Sequence, residues 1–156
     1  MNQPITLPEI SSLGSGAATG KPRLVNPLSV DIEDWFQVGA FEKTISRDSW
    51  DSQIQRADRN TNQVLDLFAA AGVKGTFFTL AWVAERNPAL IRRIVDDGHE
   101  LASHGYDHAR VFTLNAQSFA ADLMKSRAIL EDLSGVAITG YQIGRASCRE
   151  RVLVAV

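Results

Sequence analysis

A chain of 156 residues is the length of one ordinary domain and can bury a single core. Its formal net charge of −2 offers no basic footprint for nucleic acid and no polybasic patch for an anionic membrane surface. No apolar run approaches the ~20 residues of a membrane helix, and the N-terminal stretch lacks the charged start and apolar block of a secretory signal, so a cytoplasmic location is expected. The single cysteine, Cys148, excludes an internal disulfide framework.

Residues 1–23 are rich in Ser, Gly and Pro, have no sustained period and read as a flexible leader. "LVNPLSVDI" then supplies a short β-branched run, a strand from about Leu28 to Ile32 that ends in the acidic cluster "DIED". From Ala57 to Ala71, Val64, Leu65, Phe68 and Ala69 fall at helical spacing, and Gly72 supplies the stop. "VKGTFFTL" is the next strand. In "NPALIRRIVDDG", Asn87 is a cap, Pro88 fits a first helical turn, Leu90, Ile91, Ile94 and Val95 form a stripe, and Gly98 ends it. "HELASH" reads as a third strand, Asn115 to Leu133 as a third helix, and "VAIT" as a fourth strand.

The order β-α-β-α-β-α-β implies an α/β fold with parallel strands joined by right-handed crossovers. In such folds the reactive groups collect at the carboxyl ends of the strands. Both polar clusters, "DIED" and "HGYDH", fall there. All three histidines of the chain lie between Asp96 and His108.

His104 and His108 are four apart and offer two neutral imidazoles; with a carboxylate and an open position they suit a divalent cation of the zinc type, cobalt or nickel being alternatives. The pair alone is a weak signal, since surface imidazoles at this spacing arise by chance. Its weight comes from the acidic cluster at the end of a neighbouring strand. Along an extended strand Asp31 and Glu33 share a face while Asp34 points the other way, which favours Asp31 as general base and Glu33 as ligand. Asp34 stays open as the alternative ligand, or as a cap for the next segment.

A carboxylate beside an activated water can take its proton while a cation polarises a carbonyl, the machinery of amide or ester hydrolysis. His99 reads as a structural residue at the strand entrance. Asp107 is either an orienting partner for an imidazole or a solvated acid. Trp35, Phe36 and Tyr106 suit either a sugar-binding groove or packing.

"LSVDIEDWF", "KGTFFTLAWVAER" and "GHELASHGYDH", in that order and at those separations, resemble the polysaccharide deacetylases, the NodB-homology enzymes of carbohydrate esterase family 4. The resemblance covers roughly residues 24–141, expected to be a partial deacetylase domain. It implies the N-terminal half of a distorted (β/α) barrel and metal-dependent removal of N- or O-acetyl groups from a polysaccharide, a hydrolysis of non-peptide carbon–nitrogen bonds in the first case. It matches Asp31 to a base aspartate, Glu33 or Asp34 to a metal-binding acid, and His104 and His108 to metal-binding histidines. In many members the two acids are adjacent, and "DIED" departs from that. "VDIEDWFQV" is similar to a subgroup found with bacterial exopolysaccharide and exosortase gene clusters. A cyclic-amide hydrolase of the same superfamily and a non-catalytic carbohydrate-binding module are the alternatives.

After "ITGY" the family continues with an arginine, a proline and an aromatic segment, whereas this chain reads "QIGRASCRERVLVAV". Residues 143–152 resemble the translation of a sequencing adapter, so residues 142–156 are expected to be a non-native read-through tail. A fragment without the later arginine, histidine and strands of the family is expected to be inactive, or nearly so.

Overall fold

The computed structural model describes residues 27–143 and the backbone of 153–155. The expected leader and most of the expected tail lie outside the described residues. Strands β1 (Ser29–Ile32), β2 (Thr76–Thr79), β3 (Glu100–Ser103) and β4 (Gly140–Gln142) form a sheet in which β1, β2, β3 and β4 run parallel in sequence order. Doubly wound sheets reverse their strand order at a switch point; sequential order is that of a barrel wall. A short β5 (Leu153–Ala155) pairs antiparallel with β4, where only parallel strands are expected from the sequence.

Helices α1 (Ala57–Ala71), α2 (Ala81–Arg86), α3 (Pro88–Asp96) and α4 (Ala116–Ser134) occupy the connections. Gly72 ends α1 at φ 64°, a left-handed cap at low steric cost for glycine, with its N–H returned to Phe68 and Ala69 carbonyls. Asn115 opens α4 through a capping box: its side chain accepts from the Ser118 N–H, and Ser118 Oγ accepts from the Asn115 N–H.

The structure departs from the sequence expectation at two elements. The helix α2 lies inside the stretch after the second strand, where no separate element is expected; Ala81, Trp82, Val83 and Ala84 are all buried, so no amphipathic stripe announces it. The fourth strand lies at Gly140–Gln142 rather than "VAIT". Ile138 is buried and its N–H is taken by the Glu131 carboxylate of α4, which holds that segment as a connector. Gly140 then lets β4 approach β3 closely: a Cβ there would stand 3.0 Å from that of Ala102.

The core lies between sheet and helices and gathers Ile32, Leu65, Phe77, Leu80, Ile91, Ile94, Leu101 and Leu130, all nearly inaccessible. Phe77 and Phe78 are both buried, as in a sheet covered on its two faces. Phe36, Trp50 and Trp82 stack edge-on or tilted at 5.4–5.9 Å between centroids and pin the long β1–α1 connection to α2.

Candidate metal centre

The register fixes which side chains meet. Asp31 pairs with Phe78, and Phe78 with Ala102, so these three share one face of the sheet. The two-residue period returns Glu33 and His104 to that face just past the ends of β1 and β3. The chain then turns at Gly105 (φ 82°) and again at His108, a non-glycine residue at φ 60°. Glu33, His104 and His108 thereby offer one ligand atom each, all within 4.8 Å of one another.

The local chemistry fits a cation. His104 Nδ1 lies 3.2 Å from the Gln142 carbonyl; donating its proton there leaves Nε2 with a free lone pair. Burial pushes both His104 and His108 below the ordinary imidazole range, towards the neutral form that ligates. Burial, followed by the Asp31 charge, pushes Glu33 up to about 7. Glu33 Oε2 is buried and stands 3.1 Å from His108 Nε2, yet makes no aligned hydrogen bond. A buried, orphaned carboxylate oxygen facing two imidazole nitrogens matches the donor set of a two-histidine, one-carboxylate zinc site.

Asp34 is used elsewhere. It is 3% exposed; its Oδ1 accepts from the Trp35 N–H at 3.1 Å, and its Oδ2 accepts from the N–H groups of Arg56 at 2.7 Å and Ala57 at 3.0 Å. Those two donors begin α1, whose own N-cap residue Arg56 supplies no side-chain cap. A carboxylate at a helix start is favoured by the orphan N–H groups and by the helix dipole.

The remaining residues divide in the same way. Asp31 is exposed beside the cluster, and its charge acts on Glu33, His104 and His108. Trp35 is 37% exposed, ties its indole N–H to the Ile54 carbonyl, and with Asp31, Glu33, Arg56 and Asn60 lines a cleft of about 290 Å³. Tyr106 is spoken for: its hydroxyl donates to Glu85, and Lys125 Nζ sits 3.1 Å above its ring. Phe36 belongs to the core. His99 is buried on Phe77 at 4.9 Å, and its Nδ1 accepts from the Gly75 N–H. Asp107 turns away from the imidazoles to pair with Arg47. Sequence reasoning gave no weight to Arg47, Arg110, Asp122 or Gln142, because they lie outside both motifs; only the folded chain brings them to the histidine loop.

The family model for polysaccharide deacetylase matches residues 48–156, well over half of the chain. The chain belongs to the polysaccharide deacetylase family. Its fold, α/β with a parallel sheet, is shared with solved barrel-type members. A peptidoglycan-N-acetylglucosamine deacetylase of Bacillus cereus is 34% identical over 77 residues, 49% of this chain and 28% of that protein. A crystal structure of a peptidoglycan N-acetylglucosamine deacetylase in complex with a naphthalenyl N-oxidanyl-benzamide superposes with a TM-score of 0.51 at 32% identity, over 52% of this chain and 38% of the other. The peptidoglycan deacetylase PdaC from Bacillus subtilis shares the fold with a TM-score of 0.54 at 24% identity, over 58% and 46%. The chain spans less than a third of the length of the first of these relatives. Among the described residues, no helix is long and apolar enough to cross a membrane.

Proposed function

We propose that this chain is part of a metal-dependent hydrolase that removes acetyl groups from a polysaccharide. The observation that carries this reading is the convergence of Glu33, His104 and His108 within 4.8 Å beside Asp31. Glu33, rather than Asp34, is assigned as the carboxylate ligand, because both oxygens of Asp34 already accept backbone N–H groups, from Trp35, Arg56 and Ala57. A divalent cation there, zinc in the first instance and cobalt or nickel as substitutes, supplies Lewis acidity toward a carbonyl oxygen and toward water.

The chain's own residues do the rest. Asp31, reachable from solvent, accepts a proton as a water oxygen bonds to the acetyl carbon. The carbon–nitrogen or carbon–oxygen bond then breaks; acetate leaves, and the amine or hydroxyl takes up a proton. His104 is fixed by Gln142, which keeps its free nitrogen aimed into the cluster. Trp35 offers an exposed ring at the edge of the cleft, the kind of face on which a sugar ring stacks.

The matched relatives are named for N-acetylglucosamine in peptidoglycan, which supports an N-acetylated amino-sugar polymer as substrate. The only histidine outside the cluster, His99, is buried in packing, so the chain offers no third imidazole to protonate the leaving amine. We assign the low turnover expected of this chain alone to that lack, and propose that residues 142–156 are a non-native read-through tail. The test is acetate release from chitin oligomers by the full-length protein, with zinc content measured in parallel. Loss of acetate release in Asp31→Asn with zinc retained supports the assignment; unchanged release overturns the role of Asp31.

A further inference from the structure

His108 reaches the cluster from a backbone that does not favour it. Its φ of 60° lies in the left-handed region, which costs a non-glycine residue of order 1 kcal/mol and persists only where the surroundings impose it. What imposes it is visible on both sides of the residue. On the N-terminal side, Arg47 Nε pairs with Asp107 Oδ2 at 2.9 Å, and Arg47 Nη2 donates to the Asp107 carbonyl at 3.4 Å. On the C-terminal side, Arg110 pairs with Glu42 and donates from Nη2 to the Gly39 carbonyl at 3.3 Å. Glu42, Gly39 and Arg47 all belong to the β1–α1 connection, and that connection is anchored to the core by Phe36 and Trp50. The Arg47 guanidinium itself stands over Trp50 at 5.7 Å.

The rest of the histidine loop is held by different elements. The N–H groups of Ala81 and Trp82, at the start of α2, donate to the carbonyls of Gly105 and Tyr106, and Asp122 of α4 accepts from the Tyr106 N–H. Those bonds fix the part of the loop next to His104. Among the described residues, the ion pairs of Asp107 and Arg110 run to the β1–α1 connection. This connection also begins just beyond Glu33.

We infer that Arg47 and Arg110 are positioning residues for His108: they clamp the chain on either side of it and hold its imidazole against Glu33. The inference rests on the metal reading above. A planar, bidentate guanidinium suits the task, because it fixes both the Asp107 carboxylate and the Asp107 carbonyl in one plane, which an ammonium cannot do. Outer partners that orient a ligand typically affect metal affinity by 10–100-fold, and Arg47 acts on one ligand only.

The experiment is a double-mutant cycle on zinc affinity of the full chain, measured by competition with a chromophoric chelator, with the visible absorption of the cobalt-substituted protein as a second readout. Arg47→Met is expected to weaken zinc roughly 10-fold and to change the cobalt spectrum. In a His108→Ala background the same substitution is expected to change neither, because the ligand it positions is gone. The exchange Arg47→Asp with Asp107→Arg is expected to recover part of the affinity, which guards against a variant that simply unfolds. An equal loss from Arg47→Met with and without His108, or no loss with it, overturns the inference while leaving the metal centre standing. A wild-type chain that is folded by circular dichroism yet binds no zinc overturns the metal reading and this one with it.

Discussion

Replacing Asp34 by alanine separates a structural acid from a ligand. Its carboxylate accepts three backbone N–H groups at 2.7–3.1 Å while 3% exposed, so the substitution strips an acceptor from Trp35, Arg56 and Ala57 together. Hydrogen bonds to a charged group contribute about 1.5–3 kcal/mol each, and a donor left buried without a partner costs about 1–3 kcal/mol. Arg56 and Trp35 are exposed residues whose N–H groups water can reach in the variant, whereas Ala57 is buried. Two of the three losses are therefore partly recovered, and the expected destabilisation is about 3–5 kcal/mol, roughly 10 °C in melting temperature for a chain of this size. Asp34→Asn keeps one acceptor oxygen and should cost about 1–2 kcal/mol. The assay is urea and thermal unfolding followed by circular dichroism, with zinc affinity measured on the folded fraction. Stability within about 1 kcal/mol of wild type in the alanine variant, or loss of zinc binding without loss of stability, would refute the reasoning and return Asp34 to the ligand set.

Four further outcomes follow from the same geometry. Glu33→Gln and His108→Ala should each weaken zinc binding by at least ~100-fold, read by the same chelator competition, because each removes one of three ligand atoms. Without metal, the folded chain keeps a proton on Glu33 between its ordinary 4.5 and about 7, a window in which the unfolded chain has released it. The stability this proton contributes is full below pH 4.5 and lost as pH rises through about 7, so metal-free Glu33→Gln should exceed wild type by on the order of 3 kcal/mol above that pH and match it near pH 4 in urea titrations. His99→Ala should destabilise by about 2–3 kcal/mol through its lost contact with Phe77 and the orphaned Gly75 N–H, while zinc affinity stays unchanged. Gly75→Ala should cost about 1–3 kcal/mol in thermal melts, since its Cβ would meet the Leu28 carbonyl at 2.9 Å and the Phe68 ring at 3.2 Å.

Much of the wall was legible because its signals are local. The α1 stripe through Val64, Leu65 and Phe68, the Pro88 start of α3 and the Gly72 stop are fixed by residues within a turn or two of one another, and they appear where expected. The opposed faces of Glu33 and Asp34 follow from strand geometry alone. What the sequence withheld depends on distance along the chain. The acceptor that caps α1 comes from 22 residues upstream, and Arg47 meets Asp107 across 60 positions. Neither pairing leaves a periodic trace. The helix α2 was invisible for a different reason: its first four residues are all buried and it is only six residues long, so no apolar stripe alternates with a polar face to mark its period. "VAIT" misled because β-branched residues favour a strand, yet the Glu131 carboxylate takes the Ile138 N–H before a neighbouring strand can.

The sequential strand order also bears on how the chain reaches this state. Each of β2, β3 and β4 docks on the strand made just before it, so the wall can grow in the direction of synthesis, one crossover at a time, and each loop closed is a modest one. Glu33 arrives with the first strand and His104 only with the third. The two must wait for an intact β2 between them, with Phe77 and Phe78 already buried. The cluster is therefore a late product of assembly, and its formation reports that at least three strands have docked in register.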